Sequence, residues 1–434
     1  MKTLSESRLS RFVILIALYT AQGITYGYVA YALSAYLIDN GATQGQVANI
    51  LALSTLPWSF KWIWGLLIDR FSYPAMGRRR PWILVAQFLK AITIFLMIFS
   101  SDKMSSLKYM MIMIFLHNVC SSLQDVSADA LAVDILHEKE RGKANGLMKG
   151  ASYLGTAIGI AGAGWVLRTY GFRESLIFQA VILFGIGLFP LFMLERPGEK
   201  LLPWTKGKAN LEKGTKAISS TVELLLDLKK AFSIRTTVMA VGLTVWVNIA
   251  YGMITVVAVA MVVKSYGWTQ EEWQKLWGIP VQVAACAACL LGGYISDFIS
   301  PRKSIVFSIA ILGTSWILFS FCQPLWPNKI FIYWFIIWEQ FLIAFFTVSV
   351  IALCMSVTWS AVAGTQFTGY MAMLNLSMTL GAKLAGWLEG VSYPMVYAIA
   401  GIVQLISILF VFFISPKQAK EVFGTVGEQP EESL

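Results

Sequence analysis

Ionisable side chains interrupt two strongly apolar segments in the first third of the chain. Lys61 lies in the Trp-rich run Phe60–Arg70, and Asp125 and Asp129 lie four residues apart in the run 107–133. A charge inside such a segment is costly and indicates a functional role. Two carboxylates on one helix face repel each other and favour proton binding, while a nearby lysine competes with that proton. The pattern predicts proton coupling; the alternative is a static ion pair that holds two helices together.

Other polar residues occur at helical spacing in apolar segments, where they could line a wet central cavity for a polar solute. The candidate solute-binding residues are Gln22, Tyr26, His117, Lys149, Asn248, Tyr251, Glu339 and Lys383. The same side chains could instead form hydrogen bonds between helices. His117 could be a packing residue, and Glu339 could pair with Lys383. No group of residues has metal-ligand spacing, so we predict no metal site and no cofactor besides a proton gradient.

The composition shows why these charges are exceptional. Hydrophobic residues make up 57% of the 434 residues and charged residues 13%, about half the charge of a soluble chain. These values are typical of a polytopic membrane protein. The net charge of +10 does not indicate nucleic-acid binding, because the basic residues fall in a few loops. The five cysteines all lie in apolar runs, so no disulfide framework is predicted.

A membrane-spanning helix needs about 20 apolar residues to cross a core of about 30 Å. We predict twelve spans, numbered in chain order: 12–38, 46–69, 82–100, 107–133, 144–167, 174–194, 235–263, 272–297, 304–322, 331–357, 367–390 and 394–414. They divide into an N-terminal bundle (1–194) and a C-terminal bundle (235–416). A central loop (195–234), with a possible surface helix at 221–232, joins them, and a tail (417–434) follows. Lys and Arg concentrate on the side that holds both termini, which places that side in the cytoplasm.

The two bundles repeat one another. Gly65-x-x-x-Asp69 ends span 2, and Gly293-x-x-x-Asp297 ends span 8, at an offset of 228 (293 − 65). Other glycines recur at a similar offset; Gly142 returns as Gly364. Such a pattern predicts a parallel duplication whose axis lies along the membrane normal. The alternative is that glycines recur only because they let helices approach closely.

The charged residues on the basic side could latch the two bundles together. An aspartate at a helix end accepts charge-assisted hydrogen bonds from guanidinium groups or from the N-terminus of another helix. Arg302 follows Asp297 much as an arginine cluster follows Asp69. The predicted gating residues are Asp69, Arg70, Arg78, Arg79, Asp134, Arg141, Asp297 and Arg302.

The loop after span 2 resembles the loop between the second and third helices of major facilitator transporters. Further segments resemble the AmpG-like branch of that superfamily, which includes muropeptide permeases, acetyl-CoA transporters and siderophore importers: Phe60-Lys61, Gln124-Asp125, Asp129-Ala130 and Glu140-Arg141-Gly142. The resemblance implies an all-α membrane protein with twelve helices in two pseudo-symmetric bundles. It also implies proton-driven uptake of a bulky polar solute. AmpG-type permeases often carry two more spans, which favours the compact importer form.

Three functions remain open from the sequence. The first is a monomeric, proton-coupled importer in the inner (plasma) membrane that binds a small solute, such as a muropeptide or a siderophore. The second is an exporter or a lipid or glycolipid flippase with the same fold. The third is a membrane acyltransferase that uses His117 and Asp125. We expect a transporter without enzymatic activity or nucleic-acid partners.

Overall fold

The computed structural model describes residues 3–42, 44–99, 107–208, 220–388 and 390–423, and these ranges contain helices and loops but no strand. The predicted loop between spans 3 and 4 and most of the predicted tail lie outside the described residues. Within these ranges, every predicted span overlaps with helix. Spans 1 to 6, here called the N-half, comprise Arg8–Gly27 with Tyr28–Leu33 and Ser34–Asp39; Gln44–Ser59 with Trp62–Arg70; Arg80–Ile98; Leu107–Ile135; Arg141–Ile158 with Gly159–Ala163 and Gly164–Tyr170; and Phe172–Phe192.

The second six spans, here called the C-half, follow the same plan. Spans 7 to 12 comprise Arg235–Trp246 with Ile249–Ala260 and Met261–Ser265; Gln270–Ile299; Pro301–Phe321; Lys329–Ser356; Ala363–Trp387; and Tyr393–Ile406 with Ile408–Phe412. Of the described helices, ten are long and apolar enough to cross a membrane. The other two are spans 4 and 11, which are 29 and 25 residues long and carry more polar side chains.

Repeated glycines mark matching helix crossings in the two halves. In the N-half, a Cβ on Gly27 of span 1 would lie 2.2 Å from the Thr156 carbonyl oxygen of span 5. In the C-half, a Cβ on Gly252 of span 7 would lie 2.1 Å from the Met378 oxygen of span 11. Only glycine permits backbones to approach this closely. The duplication predicted from the glycine pattern therefore corresponds to equivalent packing.

The halves also meet through glycines, at the end of the molecule where span 2 connects to span 3 and span 4 to span 5. We call this the basic end. A Cβ on Gly146 of span 5 would lie 2.5 Å from the Cys289 oxygen of span 8, and one on Gly65 of span 2 would lie 2.6 Å from the Gly364 oxygen of span 11. These contacts close the basic end between the two halves.

An interruption in span 2 positions Lys61. The first helical segment ends at Ser59, shortly after Pro57, and the second begins at Trp62. Tight i→i+3 hydrogen bonds continue the chain through the break, including Phe60 N to Pro57 O at 3.2 Å. Lys61 therefore lies at the N-terminus of a short helix rather than inside a continuous one, and its side chain turns toward span 4.

The central loop is partly structured. The predicted surface helix is present as Thr221–Ser233, which we call the linker helix. The loop's first residues pack on the N-half, because the Glu195 carboxylate accepts hydrogen bonds from the backbone N–H groups of Arg78 (2.9 Å) and Arg79 (2.7 Å). Lys200 N also donates to Ala75 O at 2.7 Å.

Candidate coupling site and gate

A buried ion pair joins spans 2 and 4. Lys61 Nζ lies 3.0 Å from Asp125 Oδ2, and the two side chains are only 7% and 6% exposed. Neighbouring contacts fix the same pair of helices, since the Trp64 indole donates to the Ser122 hydroxyl at 2.9 Å. A pair this deeply buried has a high desolvation cost, and removing either charge strands the other in a low-dielectric site.

The second predicted carboxylate lies one turn further along span 4. Asp129 is buried and accepts a short hydrogen bond from the Tyr19 hydroxyl of span 1. The ammonium of Lys149, on span 5, lies 5.2 Å from the centre of the Tyr19 ring. Within the described residues, no cation lies within 4.0 Å of Asp129. Asp125 and Asp129 are thus two neighbouring carboxylates with one lysine in direct contact.

The polar network continues inside the N-half. Lys90 Nζ donates to Gln124 Oε1 at 2.5 Å, so this lysine pairs with an amide rather than with a carboxylate. Thr93 Oγ1 donates to the Lys90 carbonyl oxygen (2.7 Å) and lies 2.9 Å from His117 Nδ1. His117 lines a small cavity of about 20 Å³ among residues of spans 1, 3, 4 and 6. The structure therefore places His117 inside the N-half rather than between the halves.

Two of the predicted solute-binding residues of the C-half make contacts within that half. Asn248 donates from its side-chain amide to Leu374 O at 3.4 Å. The Tyr251 hydroxyl donates to Gln340 Oε1 of span 10 at 3.3 Å. These interactions connect span 7 to spans 10 and 11.

The possible pair between Glu339 and Lys383 does not form. Glu339 is buried and accepts a hydrogen bond from the Trp316 indole of span 9 at 2.9 Å. Lys383 is exposed and has no ion pair within the described ranges. Glu339 therefore ties spans 9 and 10 together, whereas the side chain of Lys383 is exposed.

The predicted solute-binding residues Gln22 and Tyr26 of the N-half are less enclosed than Glu339. Tyr26 is 54% exposed, and its ring packs edge-on against Tyr31 with centroids 6.2 Å apart. Gln22 Nε2 is buried and has no hydrogen-bond partner among the described atoms, and the same is true of Gln340 Nε2. These aromatic and amide groups have hydrogen-bonding capacity beyond what the protein uses.

At the basic end, Asp69 connects the halves. Its carboxylate accepts hydrogen bonds from the backbone N–H groups of Gly364 (3.1 Å) and Thr365 (2.7 Å), in the first turn of span 11. Thr365 Oγ1 donates to the same carboxylate at 2.9 Å. A carboxylate at the positive end of a helix dipole is stabilised there, so this contact holds the basic end closed.

An arginine cluster surrounds Asp69. Arg79 donates from Nη1 to Asp69 Oδ1 and from Nε to Asp134 Oδ2, both at 2.8 Å. Burial alone would lower the pKa of Arg79, but Asp134 and Asp69 outweigh burial and raise it. Arg78 crosses to the other half, where it donates to the carbonyl oxygens of Ser360 (2.8 Å) and Ala361 (2.5 Å). Arg79 thus organises the cluster, and Arg78 extends it to the C-half.

Asp297 makes the equivalent contact from the C-half. It accepts hydrogen bonds from Gly142 N and Lys143 N, both at 2.7 Å, in the first turn of span 5. No ion pair of Asp297 occurs in the described residues, so Arg302 does not pair with Asp297 as Arg79 pairs with Asp69. The Nε atoms of Arg302 and Arg141 are buried without a partner among the described atoms. Among the described residues, Asp297 therefore binds a helix N-terminus, as Asp69 does, but without an arginine partner.

Two structural carboxylates were not among the predicted residues. Glu140 accepts a bidentate interaction from Arg11 (3.0 and 2.9 Å) and lies 3.2 Å from Arg8. Glu195 caps the N-terminus of span 3. The motif Glu140-Arg141-Gly142 and the basic N-terminus signalled the first, but nothing near Glu195 in the sequence identifies its partners. The remaining gating candidate, Arg70, lies 5.1 Å from the Phe71 ring centre.

Comparison with known proteins agrees with this architecture. The Escherichia coli anhydromuropeptide permease is 31% identical over 133 residues, a match that covers 30% of this chain and 26% of the permease. The chain thus matches about a quarter of that relative's length. The putative transporter AmpG 4 of Rickettsia conorii is 24% identical over 289 residues, covering 65% of this chain and 66% of that protein.

Solved structures show the same fold at low sequence identity. The Escherichia coli fucose:proton symporter superposes with a TM-score of 0.69 at 11% identity, covering 93% of this chain and 98% of the symporter. The human organic anion transporter MFSD10 gives a TM-score of 0.66 at 11% identity, covering 94% of this chain and all of that structure.

The family model for the Major Facilitator Superfamily matches residues 14–370, which is most of the chain. Together with the two six-helix halves, this match makes the chain a multi-pass membrane protein that belongs to the Major Facilitator Superfamily of transporters.

Proposed function

We propose that this protein is a proton-coupled secondary transporter that imports a bulky polar organic solute by alternating access. The observation that carries the proposal is the buried pair of Lys61 and Asp125 with a second carboxylate, Asp129, one turn away. Spans 2 and 4 contribute this group inside the apolar part of the N-half. Neither carboxylate can lose or gain a partner there without a large electrostatic change.

The proton enters as a competitor for the lysine. When both carboxylates are ionised, Lys61 is held by Asp125, and Asp129 depends on the Tyr19 hydroxyl. A proton bound by either carboxylate lowers the negative charge around Lys61 and weakens its attachment to span 4. Spans 2 and 4 can then shift relative to each other, and the second segment of span 2 carries Asp69 with it.

Movement of span 2 is transmitted to the gate. Asp69 lies eight residues after Lys61 on the same span and holds the first turn of span 11. Release at Lys61 therefore favours separation of spans 2 and 11. In the state with a closed basic end, a solute reaches the interface between the two halves, here called the seam, from the opposite end of the molecule. By the positive-inside rule, we infer that the basic end and both termini face the cytoplasm.

The solute contacts residues whose side chains are at least partly exposed or whose buried amide groups have no partner among the described atoms. Tyr26, Lys149 and Lys383 supply one phenol and two cations, and Gln22 and Gln340 supply amide groups. Such a set suits a polar solute with ring and carboxylate or amide groups. The relatives named above as an anhydromuropeptide permease and as a putative AmpG transporter support a muropeptide-like solute. A siderophore-like solute is the alternative that the sequence resemblance implies.

The decisive experiment is Asp125→Asn in proteoliposomes with an imposed pH gradient. We expect the variant to bind solute but to lose uphill accumulation, because a neutral amide cannot exchange a proton for the lysine. Glu339→Gln is the matched control: it neutralises a buried span carboxylate that hydrogen-bonds Trp316 and should keep gradient-driven accumulation. Accumulation by Asp125→Asn with its pH dependence intact would disprove the coupling mechanism.

The same vesicles determine direction. If the protein is a proton-coupled importer, solute moves in the same direction as the protons. The compartment that gains solute then also becomes more acidic. Solute movement against the proton flow would instead identify an exporter or flippase of the same fold.

A further inference from the structure

The linker helix exposes an apolar face that no described part of the chain covers. Val222, Leu225 and Leu226 are 66%, 57% and 61% exposed. Their spacing of i, i+3 and i+4 places them on one side of the helix. Leu224 and Ala231 lie on the other side and are buried against the protein. A thirteen-residue helix is thus apolar on both of these sides.

Charge is distributed unevenly around the same helix. Lys229 and Lys230 are exposed, and Lys229 shares the face of the apolar residues at i+7 from Val222. The two acidic residues, Glu223 and Asp227, are half-buried. The outward side therefore combines apolar residues with cations, and the carboxylates are less exposed than either. This combination is complementary to a membrane surface that contains anionic lipids.

The attachment points place the linker helix near the level of the bilayer surface. It ends at Ser233, and span 7 begins two residues later at Arg235. Its buried side packs in a cluster with Leu66, one turn from the end of span 2. The ammonium of Lys230 lies 5.1 Å from the Trp359 ring centre. Tryptophan and lysine together are typical of the membrane interface.

We propose that the linker helix is an interfacial helix that binds the lipid leaflet at the basic end. Val222, Leu225 and Leu226 enter the boundary between headgroups and acyl chains, and Lys229 and Lys230 contact anionic headgroups. The occupant of the exposed face is lipid rather than a second copy of the chain or another part of the linker.

This contact links the leaflet to the seam between the halves. The cluster around the linker helix contains Leu66 from span 2 of the N-half and both Trp359 and Val362 from the segment that precedes span 11 in the C-half. A helix anchored in lipid and packed on both halves resists their separation at the basic end. The lipid composition of that leaflet therefore biases the closed state.

Photocrosslinking of the full chain in nanodiscs that contain phosphatidylglycerol tests which molecule covers the face. A diazirine amino acid at position 226 should give a phospholipid adduct, detected by mass spectrometry. The same group at position 228, which is half-buried in the cluster, should crosslink within the chain. A water adduct, a crosslinked dimer or an intramolecular crosslink at position 226, without a lipid adduct, would each overturn the proposal.

Charge removal tests the headgroup contact. In nanodiscs, phosphatidylglycerol should raise the Tm of the unchanged chain above its value in phosphatidylcholine. The double variant Lys229→Gln and Lys230→Gln should lose much of that increment, since each lysine near an anionic surface strengthens attachment roughly five-fold. Lys206→Gln with Lys208→Gln, two exposed lysines elsewhere in the linker, is the matched control. An equal loss in both double variants would refute a specific role for the linker helix.

Discussion

Asp69 in the N-half and Asp297 in the C-half each accept two backbone hydrogen bonds from the first turn of a span in the opposite half. Their surroundings differ. Arg79 binds Asp69 at 2.8 Å, whereas Asp297 has no ion pair in the described part of the chain. The duplicated fold therefore preserves the carboxylate–helix contact, while among the residues that the structure describes the N-half alone surrounds it with buried ion pairs. This network surrounds Asp69, which lies on span 2 together with Lys61.

The glycines that face the two aspartates also differ, and here the packing is tighter at the Asp297 contact. A Cβ on Gly142 would lie 2.3 Å from Asp297 Oδ1 and 2.7 Å from the Gly293 carbonyl oxygen. A Cβ on Gly364 would lie 2.8 Å from side-chain atoms of Ile68 and 2.9 Å from Asp69 Oδ1. An isoleucine side chain can move more readily than a backbone carbonyl. At the glycine that faces each aspartate, packing is therefore tighter in the Asp297 contact, and charge contributes more to the Asp69 contact.

The largest difference should appear when each aspartate is neutralised. Asp69→Asn leaves Arg79 with one fewer counter-charge in a buried site, and breaking such pairs costs about 3–5 kcal/mol. Asp297→Asn removes only charge-assisted bonds to backbone groups, worth about 1–3 kcal/mol. We expect spin labels across the basic end to report a much larger open population for Asp69→Asn. Equal opening in the two variants would contradict the assignment of the charge network to one side.

When the glycines are replaced, the variant at the Asp297 contact should lose more stability than the variant at the Asp69 contact. The difference should be smaller than for the aspartate variants. Gly142→Ala forces a methyl group against a backbone carbonyl and a bound carboxylate, and overpacking of this kind costs about 1–3 kcal/mol. Gly364→Ala should cost less, because Ile68 can adopt another rotamer. Thermal unfolding in detergent gives the comparison, and each alanine serves as the control for the other. A Tm that falls further for Gly364→Ala would show that packing does not distinguish the two contacts.

The smallest expected effect concerns the segment that anchors the central loop to the N-half. Burial and the neighbouring Glu195 raise the pKa of Glu199 to about 7, although it accepts hydrogen bonds from Glu195 N and Arg196 N. An elevated carboxyl pKa means that the folded segment binds more protons than the unfolded one between about pH 4.3 and 7. Its stability should therefore fall as pH rises through that window.

Hydrogen exchange of residues 195–201 measures this change. As pH rises through this window, amide protection should fall roughly ten-fold for each unit by which folding raises the pKa of Glu199. Glu199→Gln keeps an acceptor oxygen and should show protection that does not vary with pH. A pH profile identical to that of the unchanged chain would assign the effect to another group. The segment packs on the N-half, so this result would extend the comparison of the two halves to the linker.

Much of this architecture follows from the sequence because the lipid bilayer constrains it strongly. Span length and the need to satisfy every backbone hydrogen bond within a helix identify the spans. The cost of charge in an apolar segment singles out Lys61, Asp125 and Asp129, and the structure brings Lys61 to Asp125. The repeated Gly-x-x-x-Asp motif locates both helix contacts at the basic end. These features depend on local pattern, which one sequence displays directly.

Partner choice between distant residues was decided only by the tertiary structure. Arg79 and Arg302 follow the same motif, yet within the described ranges only Arg79 of these two pairs with an aspartate, because Asp134 and Asp69 converge on it from different helices. Glu339 could have met Lys383 but binds Trp316 instead. His117 lies within the N-half, away from the seam. Helical periodicity fixes which face a residue occupies, but the rotation and tilt of each helix against its neighbours determine what that face meets.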